Sequence, residues 1–190
     1  ASPRRRIAII GAGFSGSLLA RILARQGYPV LLFERRCHPR FAIGESTTPL
    51  ANLTLERLAR RYRLPDLHAL AAHGRWMRAF PELRRGLKRG FTFYHQQANT
   101  PYSNDAANHA RLLVAASPND AVADTHWLRA DVDHHLVREA VAAGVDYRES
   151  AEIETVALDT AGVDLRGRSG GKPFAEVVDF EGRLAEAEAV

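Results

Sequence analysis

One stretch near the start of the chain constrains the fold more than any other. Residues 7–34 read IAIIGAGFSGSLLARILARQGYPVLLFE. The apolar run Ile7–Ile10 predicts a parallel strand buried on both faces. A glycine turn follows, then an amphipathic helix ended by Gly27 and a second apolar strand over 30–33. The stretch therefore predicts a β–α–β unit and an α/β fold with a parallel sheet.

The glycine turn has the spacing GxGxxG. In such a turn the first glycine permits a sharp bend, the second lets a pyrophosphate approach the backbone, and the third lets the helix pack against the strand. The helix N-terminus then offers unpaired N–H groups to phosphate. We therefore predict a dinucleotide-binding fingerprint over residues 4–34; a glycine turn with no ligand is the alternative. The predicted cofactor contacts of the turn are Gly11, Gly13, Phe14, Ser15 and Gly16.

An acidic residue, Glu34, ends the second strand about 20 residues after the glycines, where a carboxylate can accept ribose hydroxyls. This carboxylate disfavours the 2′-phosphate of NADP. NAD and FAD both carry a free ribose hydroxyl at this point, so these residues leave both open. Arg35, the next residue, is a further predicted cofactor contact.

Composition excludes several classes of partner. The 190 residues carry a formal net charge of +4, but apart from Arg4–Arg6 the arginines are interleaved with acids or lie on predicted helix faces, and no aromatic-basic stripe accompanies them. We therefore expect no nucleic-acid partner. No apolar run approaches the ~18 residues of a membrane span, and the single cysteine, Cys37, fits a reducing compartment. The expected location is the cytoplasm, away from membranes.

Motifs for other chemistry are absent from the sequence. The eight histidines form no HExxH motif and no pair with metal-ligand spacing, and the sequence has neither a GxSxG elbow nor a Walker lysine. We therefore predict no metal site and no hydrolytic triad.

The segment after the fingerprint reads as a loop followed by helices. Thr48 is a predicted N-cap for a helix that begins at Pro49. A second, short helical stretch opens at Pro65 and is predicted to end at Gly74. Met77, in the basic segment that follows, is expected to be buried.

Strand patterns dominate the remainder. Residues 86–114 are predicted to contain strands, with an exposed loop at 96–110. Residues 124–129 are expected to lead into a helix over 131–143. Residues 151–180 alternate with a period of two and predict a small antiparallel β-meander.

Four stretches together resemble the amino-terminal part of a flavin-dependent halogenase: the fingerprint, GESTTP at 44–49, GLKRGFTFYH at 86–95, and THWLRADVDHHLVREAVAAGV at 125–145. The fingerprint alone is shared by many flavoproteins, whereas the second and third stretches are far more specific. The resemblance implies an α/β, Rossmann-like FAD-binding domain of the aromatic-hydroxylase type, with a parallel sheet and a small antiparallel β-meander. It also implies that the strands within 86–114 are inserted from the substrate-side region.

The resemblance also implies a mechanism. Reduced FAD, supplied by a separate flavin reductase, forms a hydroperoxide with oxygen, a halide attacks it, and hypohalous acid reaches a lysine that directs halogen to an aromatic substrate, free or carrier-tethered. Lys88 matches this catalytic lysine. Only Lys88 and Lys172 are lysines among 26 basic residues, so a lysine here is an unusual choice. Its amine can orient hypohalous acid or form a haloamine, which a guanidinium cannot. The alternative is a surface lysine at the start of a strand.

Further residues acquire roles from the resemblance. Gly44, Glu45 and Ser46 match the loop along the isoalloxazine, with a polar turn as the alternative. Arg129 matches a cofactor-side arginine, accompanied by Asp133, with an ordinary helix-entry salt bridge as the alternative.

The family's downstream motifs, among them WxWxIP, do not occur in the sequence. We therefore expect residues 1–190 to be the amino-terminal part of a longer FAD-binding protein. Two other functions stay open: an FAD-dependent monooxygenase or reductase of the same fold, and a noncatalytic nucleotide-binding module.

Overall fold

The computed structural model describes residues 5–115, 117–160, 162–179 and 184–185. Arg4 of the predicted fingerprint and residues 161 and 180 of the predicted meander lie outside them. The chain divides into two compact units: a first unit formed by the segments up to Ile43 and from Arg129 onward, and a second unit, Gly44–Leu128.

The helices, in chain order, are α1 Phe14–Arg25, α2 Pro49–Tyr62, α3 Pro65–Leu70, α4 His73–Ala79 and α5 Arg129–Ala142. The strands, in chain order, are β1 Ile7–Ile10, β2 Val30–Phe33, β3 Arg85–Lys88, β4 Phe91–Tyr94, β5 Arg111–Val114, β6 Asp124–Trp127, β7 Asp146–Arg148, β8 Ala151–Leu158, β9 Gly162–Ser169, β10 Lys172–Asp179 and β11 Leu184–Ala185.

The first unit is built on a parallel sheet with the order β1-β2-β7. The chain passes from β1 through the glycine turn into α1 and returns in β2, which confirms the predicted β–α–β unit and the α/β class. The helix ends near Gly27, whose φ of +83° is the left-handed conformation expected of a terminator.

Strand β2 forms the centre of the core because both of its faces are covered. Val30 and Leu32 belong to a cluster with residues of α1 and α5, whereas Leu31 and Phe33 belong to a cluster with the meander. All four side chains are buried. A continuous apolar run is what a strand covered on both faces requires.

The expectation that β1 is buried on both faces was wrong. Its residues are half-buried and Ile10 is 56% exposed. The reason is position: among the described residues β1 pairs only with β2, so it lies at an edge of the sheet.

The meander is confirmed as antiparallel, with β8 pairing β9 and β9 pairing β10. A short β11 extends it to four strands in the order β11-β10-β9-β8. Leu165 and Val178 face the parallel sheet, which places the meander against β2.

The second unit contains α2 to α4 and two antiparallel strand pairs, β3-β6 and β4-β5. Helix α2 begins as predicted, with the N–H of Ala51 donating to the Thr48 hydroxyl oxygen at 3.2 Å and Pro49 in the first turn. The predicted strands after residue 86 form, and the loop after β4 is exposed.

Two expectations in this unit were wrong. Gly74 lies inside α4 rather than ending a helix; a Cβ there would come within 2.6 Å of the Ala121 backbone, so close approach explains the glycine. Met77 is 49% exposed because Trp76 occupies the inward face of that short helix.

Residues 124–127 form strand β6, which pairs with β3, and the chain then enters α5 as expected.

Candidate functional site

The glycine turn has the geometry that the fingerprint requires. Gly11 adopts a φ of +100°. A Cβ on Gly16 would lie 2.0 Å from the carbonyl oxygen of Gly11, so helix and strand can approach only without a side chain. A Cβ on Gly13 would face guanidinium atoms of Arg40 and Arg129, each at 3.7 Å. The turn thus leaves its backbone open beside two cations.

Four charged side chains form a buried chain beside this turn. Arg40 bridges Glu34 at 2.8 Å and Asp133 at 3.3 Å. Asp133 in turn accepts two hydrogen bonds from Arg129, at 2.8 and 2.9 Å. Asp133 is completely buried and Arg129 is 9% exposed. The pair therefore is a buried, two-pronged ion pair at the start of α5.

Arg129 makes two further contacts that fix its position. It donates to the carbonyl oxygen of Ile43 at 2.7 Å, and its guanidinium lies 5.0 Å from the ring centroid of Phe14. The predicted residues Phe14 and Arg129 therefore meet, although 115 positions separate them in the sequence.

Glu34 is held as a carboxylate. Burial alone would raise the pKa of Glu34, but hydrogen bonds from Arg40 and from the backbone N–H groups of Arg36 and Ala12 outweigh it, so the pKa is lowered. The N–H of Ala12 donates to the Glu34 carboxylate at 3.2 Å, which ties the end of β2 to the glycine turn.

A cleft of about 650 Å³ opens over these groups. Gly11, Glu34 and the exposed Arg35 line it, together with Arg40 and Arg129. Ser15 is also exposed, at the start of α1. Two guanidinium groups and an open helix N-terminus suit a diphosphate, and a carboxylate suits ribose hydroxyls.

Arg40 is the residue that sequence reasoning missed. Nothing in the run RRCHPR distinguishes it from its neighbours Arg35 and Arg36. Only its contacts with Glu34 and Asp133 separate it from them.

The second unit holds the other predicted residues. Gly44, Glu45 and Ser46 are exposed and lead into α2. This loop runs along β6: the N–H of Trp127 donates to the Glu45 carbonyl at 2.7 Å, and Ser46 forms an antiparallel bridge with His126.

Lys88 ends strand β3 and is only 8% exposed, so the alternative of a surface lysine was wrong. Its ammonium donates a hydrogen bond to the carbonyl oxygen of Thr47, directly after the loop. It also lies 5.0 Å from the ring centroid of Phe91. The structure thus joins the GESTTP and GLKRGF stretches, which lie about 40 residues apart.

An open cleft of about 480 Å³ borders the lysine. Its lining combines Lys88 and His126 with the ring of Phe91 and apolar side chains of β3 and β5, Leu87 and Leu113. An amine beside aromatic and apolar surface suits chemistry on a flat, apolar substrate.

Known proteins resemble this chain over most of its length. The protein family described as NAD(P)-binding Rossmann-like domain matches residues 9–83. Tetracycline 7-halogenase from Kitasatospora aureofaciens is 31% identical over 93% of this chain and 31% of its own length. The chain resembles the amino-terminal part of flavin-dependent halogenases. It spans about a third of the length of the relatives it matches.

Two further comparisons refine the resemblance. The crystal structure of halogenase PltM in complex with phloroglucinol and FAD matches with a TM-score of 0.73 and 29% identity, over 90% of this chain and 32% of that chain. Kynurenine 3-monooxygenase from Salinispora tropica is 50% identical, but over only 27% of this chain and 12% of its own length. The halogenase likeness therefore extends over far more of the chain.

Across the part of the chain that the structure describes, no helix combines the length and apolarity of a membrane span.

Proposed function

We propose that the full-length protein catalyses FADH2-dependent halogenation of an electron-rich aromatic compound. One observation carries the proposal: the buried Lys88 amine donates to the backbone of the GESTTP loop and borders a cleft with an aromatic wall. A lysine with only a solubility role would be exposed to water.

The first unit supplies residues that fit FAD. Gly13 would leave its backbone open to a pyrophosphate beside the guanidinium groups of Arg40 and Arg129, and Glu34 would offer a carboxylate to ribose hydroxyls. The remaining fingerprint residues would contribute backbone contacts, and Arg35 would lie at the cleft's rim.

Bound reduced FAD, with oxygen, would supply the oxidising equivalents that convert chloride or bromide into hypohalous acid, and a separate flavin reductase would supply the reduced cofactor. Gly44, Glu45 and Ser46 would contact the isoalloxazine, as the resemblance implies.

Lys88 would act on the hypohalous acid. One of its N–H groups is held by the Thr47 carbonyl, so others remain to hydrogen-bond the oxygen of the acid. The halogen is then directed at a ring carbon. The carbon–halogen bond forms as the halogen–oxygen bond breaks, and the ring proton leaves with the released hydroxide as water. A carrier-tethered and a small diffusible substrate are equally compatible with this step.

An FAD-dependent monooxygenase is the second candidate. The short match with kynurenine 3-monooxygenase supports it. A hydroxylase needs no lysine, however, so the burial of Lys88 supports halogenation. A noncatalytic nucleotide-binding module would need no lysine either.

The single cysteine still supports a cytoplasmic location.

The test uses the full-length protein with reduced FAD, oxygen, bromide and a panel of phenols, pyrroles and indoles, followed by mass spectrometry. We expect a brominated product that is lost in Lys88→Ala by about 10² or more while flavin oxidation continues. Lys172→Ala, which removes the other, exposed lysine, is the matched control and should retain full activity.

Oxygen insertion without bromine would instead identify a monooxygenase, and Lys88→Ala would then leave the rate unchanged. FAD binding with neither reaction would identify the noncatalytic module.

A further inference from the structure

The loop over residues 35–43 brings Arg40 to the cleft of the first unit. Within it, residues 37–42 make no backbone-to-backbone hydrogen bond with any described residue. A segment without such bonds opens easily unless side chains fix it. Arg40 supplies one anchor, because it bridges Glu34 and Asp133. The position of the loop therefore depends on contacts of its side chains.

His38 supplies a second anchor, two residues before Arg40. It is 9% exposed, and its Nδ1 lies 2.7 Å from the hydroxyl oxygen of Tyr147, which is a hydrogen-bonding distance. Tyr147 belongs to β7, where it pairs with the buried Leu32 of β2. His38 thus ties the loop to a side chain of the parallel sheet.

Helix α5 contacts the same two loop residues. The rings of His38 and His134 stack with their centroids 6.2 Å apart. Asp133, the neighbour of His134, accepts a hydrogen bond from Arg40 at 3.3 Å. Adjacent residues of one helix therefore meet both anchors of the loop. A displacement of His38 would move Arg40 as well, since only one residue separates them.

The contact between His38 and Tyr147 is uncharged at neutral pH. Burial lowers the pKa of His38 below its ordinary value of 6.5, and the positive charge of Arg40 lowers it further. The nearby carboxylates of Glu34 and Asp133 oppose this without reversing it. Burial raises the pKa of Tyr147. The hydrogen bond therefore joins a neutral imidazole to a phenol that keeps its proton, so no charge is buried to form it.

We propose that His38 and Tyr147 are positioning residues for FAD: their hydrogen bond holds the loop so that Arg40 stays beside Gly13, an inference that rests on the FAD site of the proposed function and not on halogenation. Neither residue lines the cleft, so both act through Arg40. A guanidinium that is already in place raises affinity, because the loop need not be ordered when FAD binds.

The test is a flavin fluorescence titration of the full-length apoprotein. Tyr147→Phe removes only the hydroxyl group, and we expect the Kd for FAD to rise about fivefold, the effect of one ordinary hydrogen bond. Tyr62→Phe, the same substitution in the second unit, is the matched control and should leave the Kd unchanged. An unchanged Kd in Tyr147→Phe would overturn the proposal, even if the melting temperature fell.

The Arg40→Met background shows whether the effect passes through Arg40. There, Tyr147→Phe should change the Kd by less than about twofold, because the guanidinium to be positioned is absent. The same fivefold rise in both backgrounds would be additive and would rule out positioning of Arg40.

Substitution of His38 supplies a conservative rescue. His38→Asn keeps a polar atom near the place of Nδ1 and should retain the FAD affinity within about twofold, whereas His38→Leu should lose as much as Tyr147→Phe. Equal losses in both variants would contradict a role for the hydrogen bond. If His38→Leu does not fold, Tyr147→Phe decides, since phenylalanine preserves the ring.

These titrations do not measure halogenation. FAD binding without bromination would contradict the proposed halogenation and leave the positioning role intact. Absence of FAD binding by the wild type would overturn both.

Discussion

The two clefts are assembled in different ways. The cleft of the first unit is organised by a local motif, Gly11 to Gly16, to which distant charges are added. The cleft of the second unit has no local motif of comparable strength: Lys88, Leu113 and His126 line it from three separate strands. A local motif fixes backbone shape and can be read from spacing. A site made of distant segments depends on strand register.

The largest effect is expected when Asp133 is replaced, because this residue is the centre of the charged chain in the first cleft. Asp133→Leu should destabilise the protein by about 3–5 kcal/mol, because the buried Arg129 loses both of its carboxylate hydrogen bonds. Urea unfolding measures the loss.

The control is the Arg129→Met, Asp133→Leu double variant, which removes both charges and should recover much of the stability. A double variant as unstable as the single one would show that packing, not charge, is the cause.

The next effect separates folding from ligand binding within the glycine turn. Gly16→Ala should cost on the order of 3 kcal/mol, since its Cβ would lie 2.0 Å from a backbone oxygen. Gly13→Ala should keep the melting temperature, because its φ is −74° and its nearest neighbours are 3.7 Å away, yet weaken FAD binding about 100-fold.

Thermal melting and flavin fluorescence titration measure the two quantities. Unchanged FAD affinity in Gly13→Ala would contradict the proposal that the pyrophosphate of FAD approaches the backbone at Gly13.

A smaller effect concerns pH in the same cleft. Because the pKa of Glu34 is lowered from its ordinary value of 4.5, its ionised form contributes stability that is fully present above that value and is lost as pH falls through the folded-state pKa. The stability gap between wild type and Glu34→Gln should therefore be constant at neutral pH and narrow below about pH 4.5. A stability difference between wild type and Glu34→Gln that widens in acid would contradict a stabilising role for the ionised form of Glu34.

The smallest effect is expected at Cys37, on the loop that borders the first cleft. The Glu149 carboxylate accepts a hydrogen bond from the thiol at 3.2 Å and raises the pKa of Cys37. Alkylation by iodoacetamide at neutral pH should thus be slower than that of a small thiol. Cys37→Ser should change neither melting temperature nor FAD affinity, and a change in either would give this loop a larger role.

Much of the first unit could be predicted because its signals are short-range. The apolar run of β2, the glycine spacing and Gly27 each act within one turn or strand, so their consequences follow from residue chemistry. The exposure of Ile10 could not be predicted, since a strand's burial depends on which strands flank it.

The second unit shows the limit of such reasoning. Residues 124–127 lead into a helix as expected, but their strand conformation could not be predicted, because it depends on pairing with β3 and the GESTTP loop. The resemblance to the family singled out Lys88, but its burial and its contact with Thr47 could be known only from the tertiary structure.

The sequence by itself determined the α/β class, the glycine turn, the acid after β2 and the lysine among arginines, because each depends on residue type and local spacing. Only the tertiary structure decided that Arg40 joins Glu34 to Asp133 and that Asp124 lies opposite Lys88. The physical reason is that charge pairing acts over a few ångströms in space. The separation of two residues along the chain does not predict whether their side chains come into contact.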